Sequence, residues 1–257
     1  MLNQVNCSIL LFKILMKLDI LAFGAHPDDV ELSCSGVLMI EQLNGKKTGV
    51  VDLTEGELGS RGTVSTRYQE SAAAAKILGL KTRVNLQLED GFFSNNRESQ
   101  LKVIQILRKY QPEIILCNAP DDRHPDHGRG AQLVADASFL SGLVKIETFE
   151  NNIAQHPWRP KYVLHYIQDR QLEPDFIVDI SSVFDKKIEA IKAYKTQFHN
   201  PDIEGPETYI SKPEFLEHLI SINKIAGKKI GVQYGEGFMS AKKIGLKTLD
   251  ALVQQNT

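Results

Sequence analysis

Four polar side chains follow an apolar run near the start of the chain, in the segment LDILAFGAHPDDVE. They are His26, Asp28, Asp29 and Glu31. Charged groups at the end of a buried strand need a partner, because burying an uncompensated charge is costly. A divalent metal is such a partner, since imidazole with carboxylate is a common ligand set. The alternative is that Asp28 or Asp29 merely caps the following helix, which leaves His26 without a role.

A second segment, EIILCNAPDDRHPDH, repeats this arrangement farther along the chain. Here Asp126 lies between His124 and His127, directly after another short apolar run. A polar loop with a helix-capping aspartate is again the alternative. Two strand ends that each carry His-Pro-Asp favour one shared metal centre, since either motif alone would be a weaker signal.

The residue types also indicate what such a centre could do. A catalytic zinc site commonly has three protein ligands and leaves a fourth position for water. His26 and Asp29 can reach one ion from a strand-to-helix turn, and His127 completes the set. Asp28 and His124 then remain unligated, so that the carboxylate can take a proton from metal-bound water and the imidazole can stabilise an oxyanion. This combination suits hydrolysis of an amide or an ester.

Alternating strands and helices predict how the two motifs are brought together. Apolar runs predict strands at 18–23, 48–53, 82–86, 114–117, 162–167 and 176–180. Helical spacing predicts helices at 30–43, 64–78, 98–110, 130–143, 183–198 and 213–228. This pattern predicts a Rossmann-like, doubly wound α/β fold, a single domain whose mostly parallel sheet has helices on both faces. In the strand order 3-2-1-4-5, strands 1 and 4 are neighbours, and ligands bind at their carboxyl ends.

Composition and missing motifs exclude several function classes. With 42% hydrophobic and 24% charged residues, the 257-residue chain has the composition of a globular protein. Its net charge of -2 gives no case for binding nucleic acid or a membrane. The turn after the first strand lacks the G-x-G-x-x-G pattern of dinucleotide sites, and no P-loop is present. Three separated cysteines favour reduced thiols, and we therefore expect a cytoplasmic protein.

The residues before the first predicted strand need their own interpretation, since they could be a membrane anchor or a signal peptide. The apolar run at 9–12 is too short to span a bilayer, because Lys13 and Lys17 follow it. If the N-terminal segment were a signal peptide, its small-residue cleavage site after Ala25 would lie inside the first motif. We expect residues 1–15 to be a dispensable extension and residues 16–257 to form the functional domain.

The two motifs also resemble those of a known family. AHPDD at 25–29 and HPDH at 124–127, in this order, resemble the PIG-L/LmbE-like zinc-dependent N-acetylglucosamine deacetylases. The resemblance covers nearly all of the chain after its first fifteen residues. It implies Zn²⁺ bound by His26, Asp29 and His127, with Fe²⁺ or another divalent transition metal as an alternative.

The resemblance assigns roles to four further residues. It implies that Asp28 is the general base and that His124 stabilises the oxyanion or protonates the amine. Asp126 would orient an active-site histidine. The segment GTVSTR resembles a family stretch whose last residue, here Arg67, reaches into the substrate site. A homo-oligomer, with a hexamer as one form, is also implied.

Within the family, TEGELGSRGT, DDRHPDH and EGFMS resemble the bacillithiol-biosynthesis branch. These enzymes deacetylate N-acetyl-glucosaminyl-malate to glucosaminyl-malate and acetate. The malate anion would need cationic contacts, for which Arg61, Arg67 and Arg123 are candidates. The alternative for Arg61 and Arg123 is that both are solvated loop charges.

Three other functions are compatible with the same residues. The chain could deacetylate a chito-oligosaccharide, or it could hydrolyse the amide of a thiol conjugate. It could also be a metal-dependent sugar-binding protein without turnover. Asp28 argues against this last function, because a carboxylate that does not coordinate the metal would be needed for catalysis but not for binding.

Overall fold

The computed structural model describes residues 16–253, and the predicted extension at 1–15 lies outside them. A seven-stranded sheet forms the centre of the domain. Its strands are β1 (Ile20–Gly24), β2 (Thr48–Thr54), β3 (Thr82–Leu88), β4 (Ile114–Cys117), β7 (Tyr162–Tyr166), β8 (Phe176–Asp179) and β9 (Gly235–Ser240). A separate two-stranded pair is formed by β5 (Phe149–Glu150) and β6 (Ile153–Ala154).

The sheet has the order β3-β2-β1-β4-β7-β9-β8, and β9 is antiparallel to both of its neighbours. The other pairs are parallel, and Ile20 lies opposite both Thr48 and Ile114. All five residues of β1 are buried, as expected for a parallel strand covered on both faces. The predicted order of the first five strands is therefore confirmed, with β7 as the fifth.

Helices cover both faces of the sheet. They are α1 (Asp29–Ser33), α2 (Ser35–Leu43), α3 (Val64–Leu78), α4 (Arg97–Tyr110), α5 (Pro125–Leu140), α6 (Phe184–Lys192) and α7 (Pro213–Lys229). Ile20 and Ala22 of β1 pack with α2 and α6, whereas Leu21 and Phe23 pack with α4 and α5. The mostly parallel α/β domain with two helical layers is thus confirmed. Within residues 16–253, no helix is both long and apolar enough to cross a bilayer.

Three predicted helices have different boundaries in the structure. The helix predicted at 183–198 begins at Phe184 and ends at Lys192, because the backbone then forms turns in which the N–H groups of Ala193 and Tyr194 donate to the carbonyls of Ala190 and Ile191. The helix predicted at 130–143 begins earlier, at Pro125, because proline suits the first helical position and His124 caps the helix. The helix predicted at 30–43 is interrupted at Cys34 and forms α1 and α2. The strand β9 and the pair β5–β6 were not predicted, since glycine-rich or very short segments give little periodic signal.

Candidate active site

The carboxyl ends of β1, β3, β4 and β7 open into one cavity of about 450 Å³, a volume typical of small-molecule sites. Residues from both sequence motifs line it: His26, Asp28, Asp29, His124 and His127. The strand order explains this meeting, because β1 and β4 pair side by side and the connection after each strand carries one motif.

His26 is held from two sides by carboxylates. Its Nε2 lies 3.0 Å from Asp90 Oδ1 and 3.3 Å from Asp126 Oδ2. Its Nδ1 faces Asp29 Oδ2 at 3.8 Å. Burial by itself lowers the pKa of His26, but the hydrogen bonds to Asp126 and Asp90 and the charge of Asp29 raise it to about 10. Nε2 is thus occupied by acceptors, which leaves Nδ1 directed toward Asp29.

His127 is also held by a carboxylate, but here Nδ1 meets the supporting carboxylate and Nε2 faces Asp29. Its Nδ1 hydrogen-bonds Asp122, and its Nε2 lies 3.1 Å from Asp29 Oδ1. Burial lowers the pKa of His127, but the charge of Asp29 and the hydrogen bonds to Asp122 and Asp29 raise it to about 9. In each histidine one nitrogen meets a supporting carboxylate and the other faces Asp29.

Asp29 is fixed by several donors. The backbone N–H of His26 donates to Oδ2 at 3.0 Å, and Asn118 Nδ2 donates to the same oxygen at 2.9 Å. Gln168 Nε2 reaches Oδ1 at 3.3 Å. Burial raises the pKa of Asp29, but the charges and hydrogen bonds of His127 and His26 lower it well below its ordinary value. The carboxylate is therefore ionised, and it is oriented by the turn before α1 and by the segments that follow β4 and β7.

These side chains fit a divalent transition metal. One ring nitrogen of each of His26, His124 and His127 lies within 4.8 Å of the chosen nitrogens of the other two. His26 and His127 each have one ring nitrogen on a carboxylate, which is the arrangement that orients metal-ligating histidines. Their raised pKa values also show that the cluster attracts positive charge, and a divalent cation can replace those protons.

His124 differs from the other two histidines. Its Nδ1 accepts a hydrogen bond from the backbone N–H of Asp126 at 3.2 Å, as the cap of α5. Its pKa is lowered, by burial and then by the charges of His26 and His127. A neutral ring that accepts at Nδ1 carries its proton on Nε2, so His124 presents an N–H donor at the cavity.

Asp28 is buried and strained. Burial raises its pKa to about 7, although the nearby charge of Arg67 opposes the shift. Its backbone has φ 129° and ψ -23°, which is an unusual conformation for any residue other than glycine. Its carboxylate Oδ2 lies 3.3 Å from Arg67 Nη1. The pKa of Asp28 thus lies near neutrality, where a carboxylate can accept a proton.

Three further residues predicted for the site, Asp126, Arg67 and Arg123, lie at different depths around this centre. Asp126 is fully buried beneath it, where it accepts a hydrogen bond from the backbone N–H of Gly91 and contacts His26. Arg67 is buried in the cavity wall, where it also donates to Pro27 O at 2.7 Å. Arg123 lines the outer part of the cavity, half-exposed.

Arg61 lies outside the cavity lining. Its guanidinium donates to three backbone carbonyls, those of Thr196 at 2.7 Å, Pro206 at 3.0 Å and Ile203 at 3.1 Å. These bonds connect the glycine-rich loop after β2 to the segment after α6. The structure therefore brings every predicted site residue to the centre or its rim except Arg61.

Four residues of the site were missed in the sequence. Asp90, Asn118, Asp122 and Gln168 each follow the end of a sheet strand, β3, β4 or β7. Their position was the available signal, because ligands bind at the carboxyl ends of parallel strands. Polar residues at the ends of β3 and β7 could have been included on that ground, but their contacts, of Asp90 with His26 and of Gln168 with Asp29, depend on the tertiary structure.

Comparison with known proteins identifies the family. The family model described as PIG-L: GlcNAc-PI de-N-acetylase matches residues 21–138, which include both motifs. Diacetylchitobiose deacetylase of Thermococcus kodakarensis is 28% identical over 228 residues, which are 85% of this chain and 81% of that protein. The uncharacterized deacetylase YaiS of Escherichia coli is 31% identical over 141 residues, which are 49% of this chain and 71% of that protein.

The structural comparison covers a longer part of the chain than the family model does. The crystal structure of the conserved protein TT1542 from Thermus thermophilus superposes with a TM-score of 0.79 at 34% sequence identity. The match covers 89% of this chain and 97% of that one. The family-model match, the shared sequence and the shared fold together show that the chain belongs to the PIG-L family of N-acetylglucosamine deacetylases.

Proposed function

We propose that this protein is a metal-dependent N-deacetylase that hydrolyses the acetamide of an N-acetylglucosamine conjugate. The observation that carries the proposal is the pairing, in one cavity, of two carboxylate-supported histidines with a carboxyl group whose pKa lies near 7. The family and the diacetylchitobiose deacetylase relative support the reaction class.

His26, Asp29 and His127 would hold the metal. The other nitrogens of both histidines are occupied by Asp90, Asp126 and Asp122, so His26 Nδ1 and His127 Nε2 are the nitrogens left for an ion beside Asp29. Zn²⁺ is the ion we propose, with Fe²⁺ as the alternative. When bound, such an ion would supply Lewis acidity and lower the pKa of a coordinated water.

Asp28 and His124 would then handle the protons. With a pKa of about 7, Asp28 can accept a proton from the attacking water and deliver it to the leaving amine. His124 is neutral at pH 7 and would donate from Nε2 to the oxygen of the tetrahedral intermediate. Arg67 would keep Asp28 oriented through its 3.3 Å contact.

The finer proposal is that the conjugate is N-acetyl-glucosaminyl-malate. Its support is the sequence resemblance to the bacillithiol branch, together with two arginines of the cavity lining, Arg67 beside Asp28 and Arg123 in the outer part. Diacetylchitobiose is the second candidate, because a deacetylase acting on it is 28% identical to this chain. Both compounds present the same acetamide and differ in the charge of the attached group.

The test is amine release from each compound by protein as purified, after chelation and after return of Zn²⁺. Loss on chelation with recovery on zinc supports a metal-dependent deacetylase, and faster release from the malate conjugate supports the finer proposal. Faster release from diacetylchitobiose would reject malate. No release from either compound under any metal would contradict the deacetylase.

The same assay on Asp28→Asn separates an enzyme from a sugar-binding protein. If the variant binds zinc and sugar but releases no amine, the carboxyl group acts in turnover. If wild type and variant both bind sugar and neither releases amine, the protein is a metal-dependent binder.

A further inference from the structure

A long connection lies at the mouth of the cavity. Residues 199–212, here called the mouth segment, precede α7 and contain no helix or strand. Thr208, Tyr209 and Ile210 of this segment line the cavity. Connections of this length without secondary structure are uncommon in compact domains and are often functional. The mouth segment therefore forms part of the entrance to the site.

The first half of the mouth segment is fixed by Arg61. Two of the three carbonyls that accept from its guanidinium, those of Ile203 and Pro206, belong to this segment. The third, that of Thr196, lies just before it. Arg61 itself is held in a loop next to α3. This end of the segment is thus bonded to the main body of the domain.

The second half is held by a cluster of three side chains from three different segments. Tyr209 Oη donates to Asp169 Oδ1 at 2.7 Å, and this bond raises the pKa of Tyr209. Arg123 Nε lies 3.6 Å from Asp169 Oδ2, and its guanidinium carbon lies 4.4 Å from the centre of the Tyr209 ring. The Tyr209 and Phe215 rings also pack edge to face, with their centroids 5.6 Å apart. All three members of the cluster line the cavity.

This cluster is weak enough to open and close. Tyr209 is 44% exposed, and an exposed ion pair adds little stability. The main contribution is the single hydrogen bond to a carboxylate. Loops with few buried contacts open at a small fraction of the global unfolding free energy, and such openings commonly control access to an active site.

We propose that Arg123, Asp169 and Tyr209 form a latch that holds the mouth segment across the cavity and thereby limits the size of the substrate that reaches the centre. Arg123 is then a positioning residue that acts through Tyr209 and Asp169. The choice of substrates in the test rests on the proposed deacetylase function, whereas the closure of the segment does not.

The first test measures the segment itself. Tyr209→Phe removes the hydroxyl that bonds Asp169 and keeps the ring that contacts Arg123 and Phe215. The matched control is Tyr68→Phe, because Tyr68 is 41% exposed, donates to Glu55 Oε1 at 2.6 Å and lies outside the cavity lining. We expect amide hydrogen exchange in residues 199–212 to rise about fivefold in Tyr209→Phe and to stay unchanged in Tyr68→Phe. Equal exchange in the two variants would overturn the latch.

The second test measures selectivity. We expect the ratio of kcat/KM for diacetylchitobiose to that for N-acetylglucosamine to rise about fivefold in Tyr209→Phe, since a looser entrance favours the larger sugar. Arg123→Gln should shift the ratio in the same direction and Tyr68→Phe should not. Faster exchange with an unchanged ratio would overturn the role in selectivity. If neither sugar nor the malate conjugate is turned over, the proposed function fails, and hydrogen exchange still decides whether the latch exists.

Discussion

Asp28 has a proposed catalytic role, and two of its local features lower the stability of the fold. Its carboxyl is buried, which raises its pKa to about 7, and its backbone has φ 129°. Backbone strain of this kind costs about 1–3 kcal/mol and persists where the surrounding structure enforces it. Here Pro27 precedes it, and Asp29 is fixed by Asn118 and His26. The position is thus maintained at the expense of stability, as expected for a functional residue.

We expect Asp28→Gly to raise the melting temperature of the metal-free protein above that of Asp28→Asn, and both variants to lose deacetylation. Glycine removes the charge and the strain, whereas asparagine removes the charge alone. Thermal unfolding in chelator measures the first effect, and amine release the second. If Asp28→Gly melts below Asp28→Asn, then the backbone at this position is not strained.

The raised pKa of Asp28 also predicts a pH dependence. In the folded protein the carboxyl group of Asp28 keeps its proton up to about pH 7, whereas an unfolded aspartate has a pKa of 3.8. The stability contributed by the protonated carboxyl is therefore complete below the unfolded pKa and is lost as the pH rises through about 7. We expect the stabilising effect of Asp28→Asn in metal-free protein to be larger at pH 8 than at pH 4. Urea unfolding at both values tests this, and an equal effect would contradict it.

Asp122 supports His127 as Asp90 and Asp126 support His26. Because such partners orient the ligating nitrogen, we expect Asp122→Asn to weaken zinc affinity about 10- to 100-fold without unfolding the protein. Competition with a chromophoric chelator measures the affinity. Asp121→Asn is the control, since Asp121 is an exposed neighbour that bonds Arg170 instead. Equal zinc affinities in the two variants would show that Asp122 does not support the metal centre.

The break between α1 and α2 is one deviation from the predicted elements. Glu236 of β9 accepts hydrogen bonds from Gly36 N at 2.9 Å and Val37 N at 2.8 Å, which cap α2. Lys187 Nζ of α6 bonds Glu236 Oε1 at 2.6 Å and Leu32 O at 2.7 Å. Both charged side chains are buried, so the pair connects the C-terminal strand to the helices that follow the first motif.

We expect Lys187→Met to lower the free energy of unfolding by about 3–5 kcal/mol, because it leaves the buried Glu236 charge unpaired. Adding Glu236→Gln should restore part of this loss, since the remaining group is then neutral. Urea unfolding measures both, and Lys186→Met serves as the control because Lys186 is the exposed neighbour in the same helix. A loss in Lys187→Met no larger than in Lys186→Met would show that the pair contributes no stability.

At the scale of the whole molecule, the centre gathers carboxyl groups from separate strand ends. Asp28, Asp29, Asp90, Asp122 and Asp126 surround two histidines that hold protons well above pH 7. Carboxyl groups brought together from separate strand ends repel one another unless a cation is present. Binding a divalent ion is therefore expected to stabilise the entire fold and to release protons.

We expect zinc added to chelated protein at pH 7 to raise the melting temperature and to release about two protons, one from each ligating histidine. Calorimetry in buffers of different ionisation enthalpy counts the protons, and thermal unfolding measures the stabilisation. Release of no proton would contradict His26 and His127 as ligands, whichever metal is used.

Local pattern predicted most of the elements. β4 and α3 have the predicted boundaries, because an apolar run before polar residues and an alanine-rich stretch closed by glycine are strong local signals. The start of α5 was placed too late, since HPDH resembles a loop, although proline and a capping histidine begin a helix there. That shift places Asp126 and His127 in the first turn, where they face the centre.

The sequence alone determined the fold class and two motifs at the ends of neighbouring strands, because periodicity and strand order are set by local residue types. The tertiary structure decided which nitrogen of each histidine is available, which carboxylates support them and what the arginines contact. Asp90 and Asp122 meet the histidines, and Arg61 meets the mouth segment, only after distant segments pack. Side-chain partners of this kind depend on distances across the fold, and no local pattern encodes those distances.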